Sequence, residues 1–300
     1  MKNGAEAIIP CDESCKMFWA FLSLSGGFCD ALYYALVKRN IRDIDPYLFA
    51  AGIYGITATV LLLLSLYRGL PAWSGELPVF ILITAAIEIS ATFLYFAALQ
   101  HTDLSLAIPI LSLTPVFLIL TSWFILGEQT STGGIAGIGL ILLGSFVLFF
   151  PRGKNGGVQD VLRNRGILAM VGVAFLFSLD ANMGKLIIIH SDPFFGTSLF
   201  CYVVAGVFFA YTWKRRGSVP HMVPKDALPI LITATALVLS VIAINLALIV
   251  QIVPLVISLK RSSILFSVLM GWVAFHESGI VQRFTGSLIM TLGILCITLS

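Results

Sequence analysis

The 300-residue chain is 58% hydrophobic and 11% charged, with a formal charge of +3, and its mean hydropathy is +0.99. An ordinary soluble domain carries about 25% charged residues. Too little polar surface is present here to coat a soluble core, so the chain reads as an integral membrane protein. The few basic residues lie in short loops, as topology determinants do, which excludes a nucleic-acid footprint.

Residues 1–16 form a polar, partly acidic tail. The apolar run after it is too long for the h-region of a cleaved signal peptide, so the first helix is expected to stay as an anchor. In "CDESC", Cys11 and Cys15 lack the two-residue spacer of a zinc or redox motif. They read as free thiols, with a local disulfide as the alternative in an oxidising space. Cys29, Cys201 and Cys296 lie in apolar runs and read as small hydrophobes.

A span needs about 20 apolar residues. Breaks such as "KRNIRDIDP", "YRGLPAWSGELP", "PRGKNGGVQDVLRNRG" and "QIVP" predict ten helices. They cover 17–37, 46–67, 77–99, 104–126, 132–150, 166–189, 194–213, 227–250, 254–275 and 280–300. Long unalternating apolar runs exclude a β-barrel, and an open sheet would leave backbone groups unsatisfied in hydrocarbon. The fold class is an all-α polytopic bundle.

The chain repeats itself. A shift of 149 positions places Phe117 on Phe266, Trp123 on Trp272, Glu128 on Glu277, and Gly137 and Gly144 on Gly286 and Gly293. A shift of 150 places Asp30 on Asp180, and one of 147 places Asp45-Pro46 on Asp192-Pro193. Small loop-length differences account for the drift. The expected units are residues 17–150 and 166–300, five helices each, joined by a loop over 151–165. Five is odd, so the second unit enters the membrane from the opposite side, as an inverted repeat. Such repeats place a substrate site near the midplane and alternate access around it.

Two five-helix halves, each closing with a glycine-studded helix after "WFILGEQ" or "WVAFHES", resemble the drug/metabolite transporter superfamily, EamA type. The resemblance covers nearly all of residues 17–300. It implies a ten-helix secondary transporter with a central cavity lined mainly by helices 1, 3, 4, 6, 8 and 9.

Six ionisable residues lie inside predicted spans: Asp30, Glu88, Asp180, Lys185, Lys260 and Arg261. Each costs about 2.5–3.5 kcal/mol at the bilayer centre on insertion scales, so each needs a reason. Glu88 is mid-span, with Thr84, Thr92 and Tyr95 at helical spacing on one polar stripe. It reads either as a carboxyl hydrogen-bonded to a neighbouring helix or as a proton or cation site. Asp30 and Asp180 read as a relic of duplication packing helices 1 and 6, or as a symmetric proton relay. Lys185, near its helix end, is expected to snorkel. Glu128 and Glu277 are expected to cap the helices that follow them.

In "VISLKRSSILFSVLM", Lys260 and Arg261 interrupt an apolar run. Ser263, Ser267 and Gly271 share a helical face with Lys260, and small residues let helices or a cavity approach that face. Under the 149 shift the pair falls on Leu111 and Ser112, so the charges belong to the second half alone. Arg supplies a fork for carboxylate or phosphate oxygens and Lys a point charge. The pair also resembles that of plastid phosphate translocators and nucleotide-sugar transporters, where in the former it is taken to bind the phosphate. This chain lacks an evident basic residue in the middle of helix 4, which those translocators use as well. Its helix 4 carries Pro109 and Pro115, read as a kink.

The expected substrate contacts are therefore Lys260, Arg261, Glu88, Tyr95, Ser263 and Ser267, with Glu88, Asp30 and Asp180 as coupling candidates. The expected cargo is a small anionic or zwitterionic metabolite, such as an amino acid, organic acid or phosphorylated metabolite, with protons as the candidate coupling ion. No cofactor and no metal is expected. The other partner is the bilayer, most simply the cell (inner) membrane, and the protein is a monomer or homodimer. A lipid-acting enzyme and a non-transporting sensor are the alternatives. The enzyme reading is weakened because the four histidines fall in remote loops and no HExxH or GxSxG is present. Counting Lys and Arg by loop puts both termini outside, whereas the resemblance implies termini in the cytoplasm.

Overall fold

The computed structural model describes residues 13–40, 44–69, 73–101, 111, 113–149, 165–216, 224–261, 263, 266 and 280–299. Ten helices are assigned among them: α1 Glu13–Asn40, α2 Pro46–Arg68, α3 Leu77–His101, α4 Thr114–Leu126, α5 Thr132–Phe149, α6 Arg165–Ile189, α7 Phe195–Arg216, α8 Pro224–Val250, α9 Val253–Lys260 and α10 Ile280–Leu299. Six are long and apolar enough to cross a membrane, namely α1, α2, α3, α6, α7 and α8. The outward faces are apolar: Phe21 is 67% exposed, Leu63 62%, Phe124 75% and Leu228 64%. A soluble protein does not carry so much greasy surface, whereas a lipid-facing bundle requires it.

Helix starts follow the sequence closely, apart from that of α4, whose expected start at 104 lies outside the described residues. The repeated Asp-Pro step is a repeated N-cap. Asp45 Oδ1 accepts from the N–H groups of Tyr47 and Leu48 at 3.1 and 3.3 Å, and Asp192 Oδ1 accepts from those of Phe194 and Phe195 at 2.9 and 3.2 Å. Each carboxylate satisfies amides that the first helical turn leaves open. Pro115 sits in the first turn of α4 rather than inside it. There its missing N–H costs nothing, so it opens the described helix and does not kink it. Pro109 lies outside the described residues.

The helices pack as antiparallel pairs. In α1 and α8, Gly26 meets Ile244 while Asp30 meets Ser240 further along. In α2 and α7, Tyr47 stacks edge-on to Tyr211 while Thr59 hydrogen-bonds Tyr202. In α3 and α6, Leu77 packs with Ile187 and Leu94 lies beside Gly172. In α5 and α10, a Cβ on Gly137 would lie 2.7 Å from Gly293 O, and one on Gly144 would lie 2.7 Å from Gly286 O. Only glycine permits that approach. Replacing each helix by the one five places later maps these pairs onto themselves: α1–α8 becomes α6–α3, while α2–α7 and α5–α10 are unchanged.

Candidate functional site

Polar side chains converge in the interior where α1, α2, α3, α4, α6, α8 and α9 face one another. α9 starts at Val253 because Pro254 suits the first turn, and its last described residue is Lys260. Lys260 Nζ lies 3.3 Å from Asp30 Oδ1 of α1, and Ser240 of α8 donates to the same oxygen at 3.4 Å. The Asp30 side chain is only 4% exposed. A carboxylate so far from water is costly unless paired, and the ammonium supplies the pairing. Lys260 also acts electrostatically on Glu88 of α3 and Asp180 of α6.

Arg261 turns away from Lys260 toward α4, where its Nη2 donates to Thr114 Oγ1 at 3.0 Å. Its Nε is buried without a hydrogen-bond partner among the described residues, and so is Asp180 Oδ1. A forked cation and a carboxylate, each with a buried unmet valence, can receive an acceptor and a donor respectively. Glu88 Oε1 accepts a 2.7 Å hydrogen bond from Tyr54 of α2. Tyr33 and Tyr34 of α1 and Tyr95 of α3 belong to the same electrostatic neighbourhood, which includes Glu88, Asp30 and Arg261. Ser263 is buried. Ser267, Gly271 and Glu277 lie outside the described residues, as does Cys11.

The structure thus gathers Lys260, Arg261, Asp30, Glu88, Asp180 and Tyr95 in one region. Asp30 joins α1 to α8 and α9, and Asp180 lies within electrostatic range of Glu88 of α3. The two repeated carboxyls also have unequal surroundings. Asp30 has Lys260 at 3.3 Å, whereas the position matching Lys260 in the first half is the uncharged Leu111. Sequence reading did not find Tyr33, Tyr34, Tyr54 or Thr114. Tyrosines and threonines are ordinary in membrane helices, and only their convergence sets these apart.

Two expectations are corrected. Lys185 does not snorkel: its Nζ lies 2.5 Å from Glu128 Oε1 and donates to Gln251 O at 2.8 Å, with the two side chains 14% and 10% exposed. Glu128 does not cap the helix that follows it, since Ser131 Oγ accepts the Gly134 N–H there. Instead Glu128 Oε2 accepts from the Val253 N–H at 2.8 Å, capping α9 across 125 positions, and from Ser122 Oγ at 2.5 Å. An anion at a helix N-terminus is favoured wherever in the chain it comes from.

Residues 17–150 match the family model described as the EamA-like transporter family. No curated protein matches. Among 29 matching solved chains, one titled only "Crystal structure of protein" superposes with a TM-score of 0.76 over 96% of this chain and 98% of its own, at 19% identity. That likeness concerns the fold. With the apolar helices, the family match supports a multi-pass membrane transporter, and the EamA-like segment over residues 17–150 is consistent with the drug/metabolite transporter superfamily that the repeats resemble.

Proposed function

We propose that the protein is a secondary transporter that moves a small anionic or zwitterionic metabolite by alternating access. Two inverted five-helix units, residues 17–150 and 166–300, rock about the polar interior, with 151–165 connecting them. The antiparallel, self-exchanging helix pairs support this arrangement, because an axis in the membrane plane relates each helix to an oppositely directed counterpart. The single observation that carries the transport reading is the Lys260–Asp30 pair, joining helices of opposite units beside Arg261, Glu88 and Asp180. Charges inside a membrane protein mark cargo and proton pathways more often than scaffolding.

In this reading Arg261 and Lys260 meet the negative group of the cargo. Tyr95, Ser263 and Ser267 shape the cavity, and Glu88 titrates or meets a cationic group. Asp30 and Asp180 are the further candidates for proton coupling. The protein works in the cell membrane. Purified protein in liposomes should take up or exchange labelled organic anions or amino acids, and Lys260→Ala and Arg261→Ala should abolish it. Absence of flux for both classes, or unchanged flux in the variants, would refute the reading.

A further inference from the structure

We infer that Glu128 and Lys185 form the lock that holds one mouth of the bundle closed. The inference rests on the alternating-access reading and adds which contact must break when the units rock. Glu128 lies between α4 and α5 in the first unit. Its partners Lys185 and the Val253 N–H both belong to the second unit, where Lys185 also donates to Gln251 O. One carboxylate therefore ties the α4–α5 connection to the end of α6 and to the junction of α8 with α9. The same end carries two weaker ties between units, Glu76–His190 at 3.4 Å and Arg68–Asp192 at 3.9 Å, plus the Ser74 N–H to His190 O bond at 3.0 Å.

The lock differs from those weaker ties by its burial. Glu76 and Arg68 are 73% and 53% exposed, where water and salt screen an ion pair to little value. Lys185 and Glu128 are shielded, so breaking them leaves uncompensated charge, and the contact acts as a discrete closed state. The position matching Lys185 under the 150 shift is Ala35, so the sequence does not repeat the Glu128–Lys185 pairing in the other half. Unequal locks bias a two-state equilibrium toward closure of the mouth that carries the buried pair.

The lock is tested by hydrogen exchange and mass spectrometry on the full chain in lipid nanodiscs, comparing wild type, Glu128→Gln and Lys185→Met. Lys185→Met keeps the Glu128 cap on α9 and serves if Glu128→Gln fails to fold. The expected result is exchange faster by on the order of tenfold at residues 127–131 and 251–256, with slower exchange at residues 44–49 and 226–232 at the opposite mouth. A merely structural bond would loosen its own surroundings without protecting the far end. Unchanged exchange near the lock in both variants overturns the lock and leaves the rocking of the units untouched. Faster exchange near the lock without protection at the far mouth overturns the switch and counts against alternating access itself.

Discussion

Lys260 Nζ and Asp30 Oδ1 stand 3.3 Å apart, although their residues lie at opposite ends of the chain and on helices of different halves. The pair neutralises the buried Asp30 carboxylate of α1 with a cation from the second half. Asp30→Asn strands the ammonium in a partly buried setting. Breaking a fully buried pair costs about 3–5 kcal/mol, but the Lys260 side chain is 28% exposed, so a loss of about 1–3 kcal/mol is expected here. Thermal unfolding in detergent measures it. The double variant Asp30→Asn with Lys260→Met should recover part of the loss, since it removes both charges.

Arg261 spends one guanidinium nitrogen on Thr114 and leaves Nε without a hydrogen-bond partner among the described residues. In a thermal-shift screen of organic anions and amino acids, the stabilising class should lose its effect in Arg261→Lys. Lysine keeps the charge and loses the fork. Hydrogen bonds to charged groups contribute about 1.5–3 kcal/mol, so binding should weaken by about tenfold or more. Equal stabilisation of Arg261→Lys and wild type would remove Arg261 from the site.

The α5–α10 contact predicts a contrast between two glycines five residues apart. In Gly144→Ala the new methyl would lie 2.7 Å from Gly286 O and 2.5 Å from Met290 Cγ. Backbone cannot step aside as a flexible side chain does, so a loss of about 1–3 kcal/mol is expected. Gly139 has open space around it, and Gly139→Ala should be neutral or add up to about 1 kcal/mol through helix propensity. Comparing the two melting temperatures checks the pairing of α5 with α10.

The repeated caps predict paired losses. Asp45→Ala and Asp192→Ala should each cost about 1 kcal/mol, the usual worth of an N-cap. Asparagine at either position should restore most of it. Asp192→Ala should lose no more than a few tenths beyond Asp45→Ala, because its pair with the exposed Arg68 at 3.9 Å is weak. A much larger loss would point to Arg68 as a structural partner.

The amino-acid sequence alone determined the membrane class, the helix starts and the helical fold class. Apolar runs of span length with Pro, Gly and Asp at their breaks admit little else. The Asp-Pro steps became N-caps and the paired glycines became the α5–α10 contact, because both depend on local backbone demands that the residue type alone meets. Lys260, Arg261, Glu88, Asp30 and Asp180 stood out one by one because a charge in hydrocarbon is conspicuous. Their partners were set by tertiary structure. Lys185, four residues from a helix end, has the spacing of a snorkelling lysine, and Glu128 that of a local cap. Only the packing of α6 against α4, with α9 beside them, decided that the two meet and that Glu128 caps a helix 125 positions away. Electrostatic energy depends on distance in space and on the exclusion of water, and helical periodicity along one chain segment specifies neither.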